Sequence, residues 1–315
     1  MTDTPADTAE TVLVMNPQSG SGDHVKDVHD RATLLGYDVK ETQRENHATE
    51  LAWSAAERGA DRVVAVGGDG TLNEVIRGVT AANASDTVTV GVVLAGTGND
   101  FATNVGITDI DDAFHVLEDG KRRRVDLGVS DDRLFLNSCV AGITAEASGE
   151  TPSTSKSRFG VLAYVITTLR MATEFSGINI RASIREGPTE ETAWEGPATV
   201  VLVGNGRRFS LSRNEQANLE DGLFDVAIIE AIDSLHLAEE RLVERIFDEE
   251  GEHLIRFLAS SLEIEIGGAN PATFGFDGKM AALDSVQLSN DRRALEMAVG
   301  DGYNRCPREG EDGRR

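Results

Sequence analysis

The chain has 315 residues, of which 40% are apolar and 5% aromatic, and its formal net charge is −24. A surface this acidic repels nucleic acid and anionic lipid at low salt, and the ordinary apolar content argues against a disordered chain. The charge predicts a folded protein adapted to concentrated salt, where electrostatic screening acts over only ~3 Å at roughly 1 M.

Cysteine content and apolar runs indicate the compartment. Two cysteines, Cys139 and Cys306, cannot form a disulfide framework, so we expect a reducing cytoplasm. The N-terminus has no basic segment followed by an apolar one, which predicts no signal peptide. The longest apolar candidate, 159–172, is interrupted by polar residues, so no membrane span is expected.

Strands and helices alternate four times in the first 120 residues. Strands are predicted over 11–15, 37–42, 63–66 and 88–94, and helices over 25–35, 49–58, 72–79 and 108–118. This pattern predicts a mostly parallel sheet with helices on both faces. Ligands bind beyond the carboxyl ends of the strands in such sheets. We therefore expect three glycine-bearing loops to cluster at one edge: 16–22, 67–71 and 96–100.

The middle loop carries the strongest chemical signal. A buried strand breaks into Gly-Gly-Asp-Gly-Thr at 67–71 and opens a helix, an arrangement suited to holding phosphate on free backbone N–H groups. The charge of Asp69 makes sense there if a metal ion lies between it and the phosphate. Two structural alternatives stay open. Thr71 and Glu74 fit a capping box that only starts the helix, and Asp69 could simply occupy a turn.

Strands dominate after residue 124. They are predicted over 125–129, 134–138, 178–186, 199–204, 223–230, 262–266 and 272–276, typical of an antiparallel sandwich or flattened barrel. The basic run 121–124 is interpreted as a solvated turn, with phosphate or lipid-headgroup contact as the alternative. A polar loop is expected over 149–158, helices over 159–173 and 235–258, and a disordered tail over 303–315.

Two acidic turns stand out in this part of the chain. The turn at 218–223 is either a plain turn or a small metal site that uses backbone carbonyls and Asp221. Asp277-Gly278 follows a strand and predicts a hairpin.

In this order, NPQSG at 16–20, GGDGTLNEV at 67–75 and GTGNDFA at 96–102 resemble the diacylglycerol kinase catalytic-domain family, which includes bacterial lipid kinases and sphingosine and ceramide kinases. The resemblance continues through VDLG at 125–128, Phe135, Asn137, Gly142 and Ala145, DGLFDV at 221–226 and Asp277-Gly278. GGDGT alone is shared with NAD kinases.

The resemblance implies a two-domain lipid kinase with ATP in the cleft between the domains. We expect a Rossmann-like, NAD-kinase-like α/β nucleotide-binding domain over 1–124 and an antiparallel β-sandwich lipid-substrate domain over 125–290. Residues 291–315 would return to the first domain and end in the tail. The implied reaction transfers the γ-phosphoryl of ATP to the hydroxyl of a diacylglycerol-like, ether-linked or related lipid.

The same resemblance assigns roles to individual residues. Magnesium and its waters would be organised by Asp69, Asp100 and Asp126. Asp277 would accept the hydroxyl proton, with Asp69 as a competing base. A structural magnesium ion would use Asp221 and the carbonyls of Asn218 and Leu223. The nucleotide would be held by Asn16, Ser19, Gly20, Gly67, Gly68, Asp69, Gly70, Thr71, Glu74, Gly96, Thr97 and Asn99.

The chain departs from the family pattern at several points, among them Leu94 in place of the usual proline and Thr103 in place of the common arginine. Lys279 stands where a glutamate usually follows Asp277-Gly278, and segment 235–258 is acidic where relatives are often basic. Two alternatives therefore remain: a kinase of a soluble acceptor such as NAD, and a nucleotide-binding regulator with decayed catalysis. The expected partners are ATP and a lipid at the inner membrane surface, without nucleic acid, and a homodimer stays open.

Overall fold

The computed structural model describes residues 10–96, 98–131, 133–142, 177–185, 191–208, 215–231 and 253–307. The chain divides into two compact units. The first comprises Met1–Val125 and Arg293–Asn304, and the second comprises Asp126–Arg292 and Arg305–Arg315. The expected helix at 159–173, the loop at 149–158 and residues 308–315 of the expected tail lie outside the described residues.

The first unit is a parallel sheet flanked by helices. Its strands are β1 (Thr11–Met15), β2 (Asp38–Glu41), β3 (Arg62–Gly67) and β4 (Thr89–Leu94). Its helices are α1 (His24–Leu35), α2 (His47–Glu57), α3 (Asp69–Ala81), α4 (Asp100–Asn104) and α5 (Ile110–Asp119).

Strand order in this sheet is β2-β1-β3-β4, and all three pairings are parallel. Leu13 pairs with Val64, and Val64 pairs with Gly91. The centre of the sheet is fully buried, since Leu13 and Val64 are both 0% exposed. A strand with helices over both faces can be apolar without interruption, which explains the continuous apolar runs in β1 and β3.

The second unit is built from antiparallel strands. They are β5 (Lys121–Ser130), β6 (Arg133–Phe135), β7 (Ser138–Gly142), β8 (Ile178–Arg185), β9 (Glu191–Gly204), β10 (Arg207–Arg208), β11 (Glu215–Gln216), β12 (Phe224–Glu230), β13 (Leu254–Ala259), β14 (Ser261–Gly267), β15 (Ala272–Phe276), β16 (Lys279–Leu283) and β17 (Ser285–Val299). Neighbours pair in the order β16-β15-β7-β9-β8-β14-β17, and β12 pairs with β9 and β13.

Two strands contribute residues to both units. β5 begins in the first unit and ends in the second, while β17 pairs with β14 near its start and with β4 near its end. The second pairing is parallel and joins Glu296 to Thr89 and Met297 to Val90.

Aromatic rings fill the core of the second unit. The ring of Phe135 stacks on Phe224 at a centroid distance of 5.5 Å and lies 6.1 Å from Phe276. A Cβ atom at Gly128 would lie 2.3–2.5 Å from the Phe135 ring, so the ring occupies the space that a side chain there would need. This packing explains the glycine of the VDLG motif.

The mixed α/β fold class is confirmed, but three local expectations are wrong. The basic run is not a turn. It forms the start of β5, where Arg122 donates to the carbonyls of Val116, Leu117 and Gly120. The last part of the predicted helix 235–258 is strand β13, and residues 235–252 lie outside the described ranges.

The capping box is also wrong, because α3 begins at Asp69 and Thr71 therefore lies inside its first turn. No described helix combines the length and apolar character needed to cross a membrane.

Gly78 sets the distance between α2 and α3. A Cβ atom there would lie 2.4 Å from the carbonyl oxygen of Thr49 and 2.7 Å from Cβ of Ala52, whereas nothing lies within 4 Å of one at Gly70 in the same helix. Gly78→Ala should lower the free energy of unfolding by about 1–3 kcal/mol, because overpacking outweighs the gain in helix propensity. Gly70→Ala is the matched control and should be neutral or slightly stabilising. Denaturant unfolding at fixed salt measures both, and equal stabilities would contradict this packing.

Candidate active site

Loops at the carboxyl ends of all four parallel strands of the first unit line one cavity of about 550 Å³. The structure therefore brings the three glycine-bearing loops together, as the strand order predicts. Of the residues expected to hold a nucleotide, those that line the cavity are Asn16, Ser19, Gly20, Gly68, Asp69, Gly70, Thr71, Glu74 and Gly96.

The loops after β3 and β4 are in direct backbone contact. A Cβ atom on Gly96 would lie 2.4 Å from Cα of Gly68, and one on Gly68 would lie 3.0 Å from the carbonyl oxygen of Gly98. Gly20 has a φ of +57°, and its Cβ would lie 2.6 Å from the carbonyl oxygen of Ala95. Only glycine fits at these points, so the close approach of the loops explains the glycines of all three motifs.

Asp69 fastens the loop after β3 to helix α4. Its Oδ2 accepts a hydrogen bond from the Asp100 N–H, and its Oδ1 accepts one from the Phe101 N–H, both at 3.1 Å. The carboxylate thus satisfies two N–H groups at the start of α4, which has no side-chain cap of its own. Asp69 is therefore not a mere turn residue.

Two further members of the expected nucleotide set, Asn99 and Gly67, contact residues that line the cavity. The Asn99 side chain accepts from the Gly96 N–H at 3.1 Å and donates to the Gly96 carbonyl at 2.9 Å. A Cβ on Gly67 would clash with the Thr71 hydroxyl and lie 3.1 Å from the Ser19 hydroxyl. Thr97 lies outside the described residues.

The cavity also contains residues that the sequence interpretation missed. Thr42, Gln43, Arg44 and Glu45, from the loop after β2, line it together with Ala48. The rule that located the other three loops applies to this one too, since it follows a parallel strand of the same sheet. No glycine marks this loop, so its sequence alone does not indicate a ligand-binding role.

In the second unit, Asp277 holds the segment between β6 and β7. Its Oδ2 accepts from the Leu136 N–H at 2.6 Å, and its Oδ1 accepts from the N–H groups of Asn137 and Ser138 at 3.0 and 2.9 Å. Asp277 and Gly278 have φ angles of +46° and +87°, which confirms the two-residue hairpin between β15 and β16. Burial, and secondarily the negative charge of Asp277, raises the pKa of the Cys139 thiol well above its ordinary value.

Asp126 adjoins the second acidic turn. It is 0% exposed, its Oδ2 accepts from the Gly222 N–H at 2.7 Å, and its own N–H donates to the Leu219 carbonyl at 2.7 Å. Within the turn, Asn218 and Asp221 accept from the N–H groups two residues ahead of each. These Asx turns give the loop its shape and are compatible with the plain-turn interpretation.

The Asn205 side chain connects the surroundings of Asp126 and Asp277. Its Nδ2 donates to the carbonyls of Asp126 and Leu136 at 3.0 and 2.9 Å, and the Leu136 N–H donates to Asp277. Of the expected carboxylates, Asp69 and Asp100 therefore belong to the first unit, where the Asp100 N–H donates to Asp69, and Asp126 and Asp277 belong to the second.

The donor chemistry of these pairs fits magnesium. Mg²⁺ is commonly held by one or two carboxylates together with substrate phosphates and water. Across the described ranges, no three His, Cys, Asp or Glu side chains are grouped as a ready-made metal cage. The two N–H groups hold the Asp69 carboxylate in place, and Asp69 lines the cavity.

Comparison with known proteins yields one consistent family. Residues 10–130 match the model of the diacylglycerol kinase catalytic domain. A diacylglycerol kinase of Staphylococcus haemolyticus is 30% identical over 91% of this chain and 87% of its own length. A protein of Pectobacterium atrosepticum named probable lipid kinase YegS-like is 28% identical over 85% of this chain and 89% of its own length.

A crystal structure of a diacylglycerol kinase from Bacillus anthracis shares the fold. It superposes with a TM-score of 0.68 at 18% identity and covers 94% of this chain and 98% of that one.

Asp277→Ala tests whether this carboxylate holds the strand connection. We expect the free energy of unfolding of the second unit to fall by about 2 kcal/mol or more, because three N–H groups of nearly buried residues lose their acceptor. Trp194 lies in β9 of this unit and Trp53 in the first, so Trp194 fluorescence in a Trp53→Phe background isolates the effect. Asp291→Ala, at an exposed position in β17, is the control. Equal losses in the two variants would contradict the role.

Proposed function

Because the chain belongs to the diacylglycerol kinase catalytic-domain family, we propose that it transfers the γ-phosphoryl group of ATP to the hydroxyl group of a lipid with the help of Mg²⁺. The family makes the chain a kinase, as the sequence predicts. The observation that carries the proposal is the cavity of the first unit, where glycine loops meet at the carboxyl edge of a parallel sheet.

The triphosphate would lie on the loop after β3. This loop leads into the start of α3, where the positive end of the helix dipole favours an anion. Gly68, Gly70 and Gly96 line the cavity at this point and expose their backbone to it. Phosphoryl transfer depends mainly on positioning and charge neutralisation, which this arrangement supplies.

Mg²⁺ would be held by Asp69 and Asp100 of the first unit. When bound, it would neutralise charge on the phosphate oxygens. The hydrogen bonds from the starting turn of α4 keep the Asp69 carboxylate in one orientation. A structural magnesium ion would be bound by Asp221 and by the backbone carbonyls of Asn218 and Leu223.

Asp277 is the proposed acceptor of the hydroxyl proton, and Asp69 is its competitor. Three N–H donors fix the orientation of the Asp277 carboxylate. A loose transition state needs little help from a base, so an oriented carboxylate is sufficient.

The acidic composition shapes the proposed setting. We place the reaction at the inner membrane surface of a cell with concentrated internal salt. Screening over ~3 Å at roughly 1 M would let a chain with a net charge of −24 approach anionic lipid. Ether-linked glycerolipids are then candidate acceptors beside diacylglycerol.

Incubation with γ-labelled ATP and Mg²⁺ in high salt tests the activity. The acceptors are a diacylglycerol and a dialkylglycerol ether, each in mixed micelles, and NAD in a separate reaction. We expect a labelled lipid and a loss of at least ~100-fold in kcat for Asp69→Asn, because a carboxylate that neutralises transition-state charge is removed. Asp30→Asn on the exposed face of α1 is the control.

Two results would contradict a lipid kinase, and a third would contradict the role of Asp69. Labelled NAD without labelled lipid would indicate a soluble acceptor. ATP binding without any product would indicate a regulator. Full activity in a folded Asp69→Asn variant would remove Asp69 from the mechanism.

A further inference from the structure

The side chain of Asn205 bonds to the same chain segment that holds the Asp277 carboxylate. Asn205 follows β9 directly and is 1% exposed. We propose that Asn205 is a positioning residue for phosphoryl transfer, which keeps the Asp277 carboxylate in the orientation needed to accept the hydroxyl proton. The inference rests on the proposed function, in which Asp277 is that acceptor.

Leu136 and Asn137 each bond both to Asp277 and to Asn205. The Leu136 N–H donates to Asp277 Oδ2 at 2.6 Å, and the Leu136 carbonyl accepts from Asn205 Nδ2 at 2.9 Å. The Asn137 N–H donates to Asp277 Oδ1 at 3.0 Å, and the Asn137 carbonyl accepts from the Asn205 N–H at 2.9 Å. A shift of this segment relative to Asn205 therefore moves two of the three N–H donors that orient the carboxylate.

The second hydrogen of Asn205 Nδ2 anchors the segment to β5. It donates to the Asp126 carbonyl at 3.0 Å. Asp126 is itself held in place, because its N–H donates to the Leu219 carbonyl and its Oδ2 accepts from the Gly222 N–H, both at 2.7 Å. One planar amide thus sets the separation between the Asp126 backbone and the segment at 136–137.

Hydrogen-bond chemistry allows the Asn205 amide only one orientation. The carbonyls of Asp126 and Leu136 can only accept hydrogen bonds, so the NH₂ group must face them. The Asn205 Oδ1 then faces Asn290 in β17, whose Nδ2 donates to it at 3.1 Å. Asn290 is held by its own N–H, which donates to the Ser260 carbonyl at 2.9 Å. The Asn205 amide is therefore fixed in direction as well as in place.

Asparagine suits this position better than residues of similar size. An aspartate would set a charged acceptor against two carbonyl oxygens, and a leucine would supply no donor at all. A displacement of about 1 Å at a reacting group can lower a rate by about 100-fold. Loss of the amide should therefore slow phosphoryl transfer even in molecules that remain folded.

Turnover of the full chain with γ-labelled ATP tests the proposal, with the diacylglycerol and the dialkylglycerol ether in mixed micelles as acceptors. We expect Asn205→Ala to lower kcat roughly tenfold, less than a full displacement would, because the N–H groups of Asn205 and Gly206 still donate to the carbonyls of Asn137 and Leu136. KM for ATP should stay unchanged, since Asn205 belongs to the second unit and the nucleotide cavity to the first.

Two further variants accompany this measurement. Asn290→Ala removes only the donor to Asn205 Oδ1 and should lower kcat by about threefold, which keeps the proposal testable if Asn205→Ala does not fold. Asn179→Ala, at an exposed asparagine in β8 of the same unit, is the control. Denaturant unfolding checks that every variant is folded under the assay conditions.

A double-variant cycle separates positioning from a general loss of stability. If Asn205 acts through Asp277, then Asn205→Ala should lower kcat by less than about twofold in an Asp277→Asn background, whereas independent effects would multiply. Single-turnover measurements at high enzyme concentration keep the slow variants measurable.

Two results would overturn the inference, and a third would overturn its premise. Wild-type kcat in folded Asn205→Ala and Asn290→Ala variants would contradict the role of Asn205. An equal fold loss in the wild-type and Asp277→Asn backgrounds would mean that Asn205 does not act through Asp277. Absence of labelled lipid with the wild-type chain would instead contradict the proposed function.

Discussion

In the first unit, one carboxylate holds two glycine loops against each other. Asp69 accepts N–H groups from the start of α4, while the backbones of Gly68 and Gly96 touch without side chains between them. Each feature requires the other, because the hydrogen bonds from α4 to Asp69 can form only where the loops approach this closely. Gly68, Asp69 and Gly96 of this contact line the cavity. The contact between the two loops therefore requires an aspartate flanked by glycines, whatever chemistry that aspartate performs.

In the second unit, too, an aspartate carboxylate accepts hydrogen bonds from backbone N–H groups and holds a connection between strands. Asp277 lies in a tight hairpin with left-handed backbone. Its carboxylate accepts hydrogen bonds from three N–H groups of the connection between β6 and β7. Buried N–H groups need acceptors, and an ionised carboxylate is the strongest acceptor that a side chain offers. Both proposed catalytic aspartates are consequently fixed in orientation by backbone. Substituting either one changes local stability as well as chemistry, which is why activity losses need a parallel measurement of folding.

Sequence periodicity predicted most of the first unit, because buried parallel strands and amphipathic helices leave distinct patterns. The glycine loops could be placed for the same reason. The loop containing Arg44 could not, since no residue type marks it and only strand order brings it to the cavity. The spacing of Leu254 and Leu258 imitates a helix, but in β13 the segment pairs with β12. The basic run at 121–124 was predicted to be solvated. In the structure, its arginines donate to backbone carbonyls of other segments, and such partners cannot be predicted from the sequence.

Hydrogen–deuterium exchange of the full chain with and without MgATP in high salt tests most directly that the nucleotide lies in the cavity of the first unit. A nucleotide bound there should slow exchange in the loops after β1, β2, β3 and β4, over 18–20, 42–45, 68–71 and 96–98. Protection confined to other parts of the chain, or unchanged exchange in these loops at saturating MgATP, would contradict it.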